Sequence, residues 1–564
     1  MKHSLLATLV LSSCLSPAMA TEQSTAPKLV LQITVDALRG DLPERFRSNM
    51  TNDGFVYLLD KGVHYANAHY QHSNTETIVG HVALATGAPP SANGMVGNVW
   101  YDRNLNRAVY NVEDTNYSEL LTHNSNTESI QLDDTQNTAQ GNGRSPVNIH
   151  SSTFADELVK SNNGQSRAFA VSYKDRGAVS MAGELGKAFW FSNATGGFVT
   201  SDYYYDAYPH WVEEWNQSDF IKRYSNQRWE LMLDREKYLF SNEGNTDFKT
   251  EIASFNRSFP YPYGPSSFPY FTTMLSLSPA SDEVTADFAK TLIKSEKLGQ
   301  QGQTDFLAIS FSANDYIVHV NGPSSLEAED GLLRLDSVLA DLLSYVDETI
   351  GIDNTLIVLS ADHGAPDAPS YVTNHGRTTA DYFGAEALRS KGLFEKTKDQ
   401  FGLGEEVYLY FENPNLYLNH DLIKEKGLDI AKVQRFISSE LATINGVDNA
   451  FTASDIEEGN MPNTRVAKLV ENNYFKGRSG DIYLVFNPGV YINAFDSLTV
   501  ASVHGSPWRY DTFVPVIFAG YNLEGQKVHR EVTPYDIAPT LSALLGVTFP
   551  SGSTGEVLNE IVTP

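Results

Sequence analysis

Four apolar runs that break off abruptly at polar residues constrain this chain more than anything else in it. Leu29–Val35 runs into Asp36, and Asp305–Phe311 runs towards Asn314 and Asp315. Thr355–Ser360 runs into Asp362 and His363, and Val514–Ala519 ends at Gly520. Strands so continuously apolar are covered on both faces, the pattern of a parallel sheet between helices. Helical periodicity lies between them. Apolar residues at 332, 333, 335, 338, 339, 342, 343 and 346 follow a 3.6-residue repeat, and Tyr535–Leu545 is closed by Gly546. The expected fold class is α/β, a mostly parallel central sheet with helices on both faces. Ligands in such folds gather at the carboxyl ends of the strands. Three of the four runs deliver Asp or His there.

The 564 residues, 41% hydrophobic and 11% aromatic, suit a large globular core. A formal net charge of -28 argues against nucleic-acid binding, which draws on clustered Lys and Arg. A phosphate handled by so acidic a chain needs a local positive site made of metals or a few cations. The first 20 residues read as an export signal: Lys2, the apolar run Leu5–Leu11, then Ala18-Met19-Ala20 before Thr21. No later stretch is apolar for the roughly 20 residues a membrane span needs. The expectation is an exported protein, periplasmic or secreted. The one cysteine, Cys14, lies in the signal, so thiolate chemistry is excluded from the mature chain. Leu11-Ser12-Ser13-Cys14 leaves lipid anchoring through Cys14 as the alternative.

Residues 21–564 read as one catalytic domain carrying insertions at about 188–280 and 365–500. The first is crowded with aromatics, including Phe189-Trp190-Phe191 and Tyr203-Tyr204-Tyr205; the second is long, polar and mixed. Both read either as a cap over the sheet or as surface decoration.

The chemistry concentrates at the strand ends. Asp315 and His319 are four residues apart, on one face if helical. Asp362-His363 follows a strand directly, and His504 sits in Ser502-Val503-His504-Gly505-Ser506. With Asp36 these supply three carboxylates and three imidazoles, a sulfur-free donor set suited to catalytic zinc. Six ligands exceed what one catalytic zinc uses but suit a pair about 4 Å apart. His81, His210 and His375 are read as structural or solvated. Thr77, in Asn74-Thr75-Glu76-Thr77-Ile78-Val79-Gly80-His81, precedes an apolar segment and reads as a helix N-cap. That position also presents backbone N–H groups to an oxyanion.

In this order the motifs resemble the alkaline phosphatase superfamily, and within it the bacterial PafA-type (PhoK-like) alkaline phosphatases. The matching elements are Val35-Asp36-Ala37-Leu38-Arg39, Thr75 to His81, Gly94 to Asp102, and Lys174-Asp175-Arg176-Gly177-Ala178. They continue through Asp315 to His319, Ala361-Asp362-His363-Gly364, His504-Gly505 and Asp536-Ile537-Ala538-Pro539-Thr540. The resemblance implies two zinc ions: one on Asp315, His319 and His504, the other on Asp36, Asp362, His363 and the Thr77 oxygen. It implies Thr77 as nucleophile through a phosphothreonine, with Asn98, Lys174 and Arg176 holding the nonbridging phosphoryl oxygens. Val79 departs from the family, which often has Pro there.

Two cations and an amide facing three nonbridging oxygens favour a phosphate monoester, and the implied substrates are small phosphorylated molecules of broad range. The alternative is a phosphodiesterase or nucleotide pyrophosphatase on the same two metals, with aromatics of the first insertion stacking on a base. A sulfatase would need Cys or Ser in a C/S-x-P-x-R context, which is missing. A noncatalytic zinc-binding module would have lost ligands or nucleophile, and none is lost. No EF-hand-type loop marks an additional calcium site, and a monomer is expected.

Overall fold

The computed structural model describes residues 26–120, 134–243, 246–376, 379–493 and 499–562. The expected signal segment and Cys14 lie outside the described residues. Thirteen strands build the two sheets that position the site. In chain order they are β1 (Leu29–Val35), β2 (Val63–His69), β3 (Ala168–Ser172), β4 (Lys187–Ser192), β5 (Gly197–Val199), β6 (Asp305–Phe311) and β7 (Thr355–Ser360). There follow β8 (Tyr408–Glu412), β9 (Asn415–Leu418), β10 (Val447–Thr452), β11 (Ile482–Phe486), β12 (Phe513–Gly520) and β13 (Gln526–Val528).

Nine of them form the central sheet in the order β13-β2-β12-β7-β1-β6-β3-β4-β5. β1 lies between β7 and β6 and parallel to both, with Thr34 opposite Ser360 on one side and Ser310 on the other. β3 and β4 extend the parallel run. Every residue of β1, β6 and β7 is buried, as their uninterrupted apolar sequences require.

The strand at 513–520 differs from the expectation: it runs antiparallel to both neighbours, β7 and β2. Its interior is buried on both faces like that of the others, and burial alone decides its composition, so direction leaves no trace in the pattern. The reversal matters for the site. It puts the start of β12, and the segment leading into it, at the same sheet edge as the carboxyl ends of β7, β1, β6 and β3.

The stretch from 188 begins inside the sheet, because Phe189 and Phe191 belong to β4 and Phe198 to β5. Its aromatics pack in the main core: Phe198 stacks on Phe288 at 3.9 Å, and Trp215 meets Phe198 edge-on at 5.3 Å. Farther on, this segment is clamped by carboxylates from one turn of the helix Leu326–Thr349. Glu327 pairs with Lys249 at 2.7 Å and accepts from the Tyr261 hydroxyl at 2.7 Å. Glu329 accepts from the Leu239 and Phe240 amides at 3.0 Å each, and Asp330 from the Trp229 indole at 2.6 Å. Buried carboxylates are tolerated here because each has hydrogen-bonding partners.

The stretch 365–500 carries its own antiparallel sheet, β8-β9-β11-β10, and its own apolar cluster, which includes Leu388, Leu416, Val433, Ile437 and Leu484. Arg103, on the turn between Val99–Asp102 and Arg107–Tyr110, ties this sheet down by reaching Asp481 and the Leu418 carbonyl.

Candidate active site

Four adjacent parallel strands, β7, β1, β6 and β3, end along one edge of the sheet, and the predicted residues follow them in turn. Asp362 and His363 follow β7, Asp36 follows β1, and the helix α1 (Ala313–Asn321) after β6 carries Asp315 and His319. Lys174 and Arg176 follow β3 at the head of a helix, Asp175–Ala182. His504 arrives from the segment before the reversed β12. The i,i+4 spacing works as expected, since His319 Nε2 stands 3.2 Å from Asp315 Oδ1.

Thr77 opens the helix Thr77–Thr86, but Glu76 holds the N-cap position and makes no side-chain cap. Thr77 is one residue inside, which leaves its hydroxyl to the cavity. Arg176 Nη2 donates to Thr77 Oγ1 at 3.3 Å, and the Ile78 amide donates to Asn98 Oδ1 at 3.3 Å. The helix comes close to the end of β7 because Gly80 permits it. A Cβ at Gly80 would lie 1.9 Å from the Asp362 carbonyl oxygen, so any side chain there would push Thr77 away from the cluster.

Three imidazoles are aimed by the backbone. His319 Nδ1 lies 2.7 Å from the Ser502 carbonyl, His363 Nδ1 2.9 Å from that of Gly364, and His504 Nδ1 2.8 Å from that of Thr75. A carbonyl can only accept, so each Nδ1 carries a proton and each Nε2 faces the carboxylates. His504 Nε2 is 3.5 Å from Asp315 Oδ1, and His363 Nε2 is 3.4 Å from Asp36 Oδ1 and 3.5 Å from Asp362 Oδ2. Two convergent donor sets result, Asp315–His319–His504 and Asp36–Asp315–His363. Asp362 borders the second set. Its Oδ1 accepts from the Ala37 and His363 amides, at 3.1 and 3.0 Å.

Lys174 lies within the cluster, its ammonium 2.6 Å from Asp36 and 2.5 Å from Asp315. Burial works against that charge, yet the two carboxylates outweigh it and raise the Lys174 pKa. Burial and Asp315 push Asp36 up, but Lys174 and His363 prevail and hold it well below the usual carboxylate range. Asp362 moves the other way, raised by burial and by Asp36. Burial opposes the charged form of His363, but Asp362 and Asp36 lift it to about 9. Burial and His363 together depress His504 far below the ordinary imidazole value. Asp36 Oδ1, Asp315 Oδ1, Asp362 Oδ2 and His363 Nε2 are buried without a hydrogen-bond partner. Buried, aimed and hydrogen-bond-orphaned oxygen and nitrogen donors fit divalent cations.

Sequence reasoning passed over several supporting residues. His81, read as structural, is buried with Nδ1 2.8 Å from the Thr77 carbonyl and 3.2 Å from Asp362 Oδ2, and Nε2 2.9 Å from Ser310 Oγ. Its position four residues after Thr77 on a helix was the available signal. Asp175 accepts from the Tyr110 hydroxyl at 2.6 Å and from Arg144 Nε at 2.6 Å, which fixes the turn that carries Arg176. Asp511 accepts from both the amide and the hydroxyl of Ser506, at 3.0 and 2.5 Å. Ser506 in turn exchanges hydrogen bonds of 3.0 and 3.1 Å with Thr75, so Asp511 braces the loop of His504 against the turn of Thr77. Asp511→Ala is expected to weaken divalent-metal binding about 10- to 100-fold, the usual cost of losing an outer support of a metal ligand. Equilibrium dialysis would show it, and an unchanged affinity would make the brace irrelevant to the site.

A cavity of about 410 Å³ opens over these groups. Thr77, Asn98, Arg176, Asp315, His319 and His504 line its floor, and Phe411, Glu412, Asn413 and Ile492 of the 365–500 stretch line its wall. Among the described residues none of the aromatics of 188–280 reaches it, so they are not placed to stack on a substrate base.

A helix-borne threonine, a pair of carboxylate–imidazole sets and a buried Lys–Arg pair at the edge of such a sheet suit a phosphoryl-transfer hydrolase. The chain belongs to the alkaline phosphatase superfamily: the profile of the type I phosphodiesterase / nucleotide pyrophosphatase family matches residues 30–507. It is 33% identical over 559 residues to alkaline phosphatase PhoV of Synechococcus elongatus, covering 97% of this chain and 95% of the relative. To alkaline phosphatase PafA of Elizabethkingia meningoseptica it is 31% identical over 564 residues, 100% and 99% of the two chains. The crystal structure of wild-type PafA superposes with a TM-score of 0.85 at 29% identity, covering 95% of this chain and 99% of that one. Likeness along the full length of both chains marks this protein as an enzyme of the phosphatase class.

Proposed function

We propose that this chain is a two-zinc phosphate monoester hydrolase that passes the phosphoryl group through Thr77. The observation that carries the reading is the Arg176–Thr77 contact at the mouth of the two donor sets. Asp315, His319 and His504 would hold one zinc, and Asp36, Asp362 and His363 the other, with the Thr77 oxygen. When bound, the pair supplies Lewis-acid charge for the attacking and leaving oxygens.

The remaining roles belong to the chain's own residues. Thr77 Oγ attacks phosphorus in line as the bond to the leaving oxygen breaks, and water then releases phosphate from the phosphothreonine. Arg176 grips phosphoryl oxygen with its planar fork, and Lys174 adds a point charge. Asn98 contributes an amide, with its backbone N–H fixed on Glu76 Oε2 at 2.5 Å. A buried cation and a helix N-terminus strengthen as water is excluded. A PafA variant has been crystallised with a threonine changed to serine and an asparagine, a lysine and an arginine changed to alanine, the same four residue types that meet here. Export, to the periplasm or beyond, is part of the reading, supported by the signal-like residues 1–20; among the described residues no helix is long and apolar enough to cross a membrane.

The second reading, a phosphodiesterase, draws on the name of the matching family profile. The two separate on kcat/KM for p-nitrophenyl phosphate against bis-p-nitrophenyl phosphate, measured with zinc and with Thr77→Ala as the blank. A monoester preference well over about tenfold is expected, since only a monoester offers three nonbridging oxygens to Asn98, Lys174 and Arg176. A preference for the diester would reverse the assignment.

A further inference from the structure

The wall of the cavity has a chemistry of its own. Glu412 ends β8 and pairs with Asn415 across the hairpin to β9, so Phe411, Glu412 and Asn413 are held by the second sheet over the floor that carries Thr77. Arg176 is the only Lys or Arg among the described lining residues, and it sits at the phosphoryl end. Beyond it, on the wall, the acid Glu412 and the aromatic Phe411 stand among the neutral Ala385, Asn413 and Ile492. Glu412 accepts from the Tyr410 hydroxyl at 2.7 Å, and burial, with no cation acting on it, raises its pKa. It acts repulsively on another carboxylate, Glu76, which burial already pushes up to about 7. Asn413 Oδ1, a further acceptor, is buried without a hydrogen-bond partner.

A phosphate monoester seated on Thr77 and Arg176 must place its leaving group in this space. A leaving group with a second anion would meet Glu412, with no lysine or arginine beside it among the described residues that line this wall. A leaving group with an ammonium would relieve a desolvated carboxylate and lie against an aromatic face. We propose that Phe411 and Glu412 form a leaving-group subsite that selects phosphate monoesters of amino alcohols over those of hydroxy acids. The inference rests on the monoesterase reading above and names its substrate class.

The test is phosphate release by the zinc-loaded enzyme at low ionic strength from O-phosphoethanolamine, 3-phosphoglycerate and p-nitrophenyl phosphate. The first should exceed the second in kcat/KM, and the ratio should fall about tenfold or more in Glu412→Gln, because one charge at close range is removed. Glu412→Lys should invert it. Each ratio is taken within one preparation, so a partly folded variant does not distort it. A wild-type preference for phosphoglycerate, or a ratio unmoved by both substitutions, overturns the subsite while p-nitrophenyl phosphate hydrolysis preserves the monoesterase reading. No release from p-nitrophenyl phosphate by the wild type overturns both.

Discussion

Thr77→Ala is expected to lower kcat/KM for p-nitrophenyl phosphate by about 10⁴-fold or more, the scale on which covalent catalysis fails when its nucleophile is removed. The substitution is otherwise mild. Thr77 occupies the first position of its helix, where Glu76 rather than Thr77 is the N-cap, so no capping hydrogen bond is lost. Alanine has a better helix propensity than threonine. Melting temperature and bound-metal content should therefore stay close to wild type, and that pairing is the informative part. A dead variant with wild-type metal content isolates the hydroxyl; a dead variant that has lost metal would mean the threonine oxygen is chiefly a ligand. Retention of more than a few per cent of the rate would remove Thr77 from the mechanism.

Arg176→Ala should cost on the order of 10²–10³ in kcat/KM for the monoester, the range measured when a preorganised charge-stabilising donor is deleted. The loss should be smaller for bis-p-nitrophenyl phosphate, which lacks the third nonbridging oxygen. Arg176→Lys should recover only part of the rate, because an ammonium cannot reproduce the two-pronged grip of a guanidinium. Paired kinetics on the two esters decide the matter. Equal losses on both would place Arg176 in ground-state packing rather than on the phosphoryl group. Arg176 is buried between a fixed turn and the Thr77 hydroxyl, and Asp175 keeps its own salt bridge to Arg144 in the variant, so the turn itself should persist.

Much of this was legible in the sequence, for identifiable reasons. Asp36, Asp315 and Asp362-His363 each follow an unbroken apolar strand, and a strand end is where a parallel sheet presents side chains to solvent. The i,i+4 pair Asp315 and His319 needed only a helix. What stayed hidden was whatever depends on relations between strands. β12 reads like its neighbours because burial sets its composition, and its reversal emerges only from the register with β7 and β2. The aromatics at 188–280 suggested a binding wall and are instead core, since aromatic residues serve packing and recognition equally well. The wall comes from Phe411 and Glu412, in a stretch whose mixed composition drew no attention to any residue. Thr77 was legible as a helix-start residue, but not whether its hydroxyl would face the backbone or the cavity.

The position of β1 bears on how the protein comes into being. The first strand of the described chain has no sequential neighbour; both of its partners, β6 and β7, lie far downstream, and His504 comes later still. Loops of that length must close before any of these contacts repays the ordering it demands, which makes assembly slow. An amino-terminal fragment holds Asp36 and Thr77 but has no cradle in which to use them. During synthesis, then, the growing chain holds neither donor set until His363 has been made, and not the pair of them until His504.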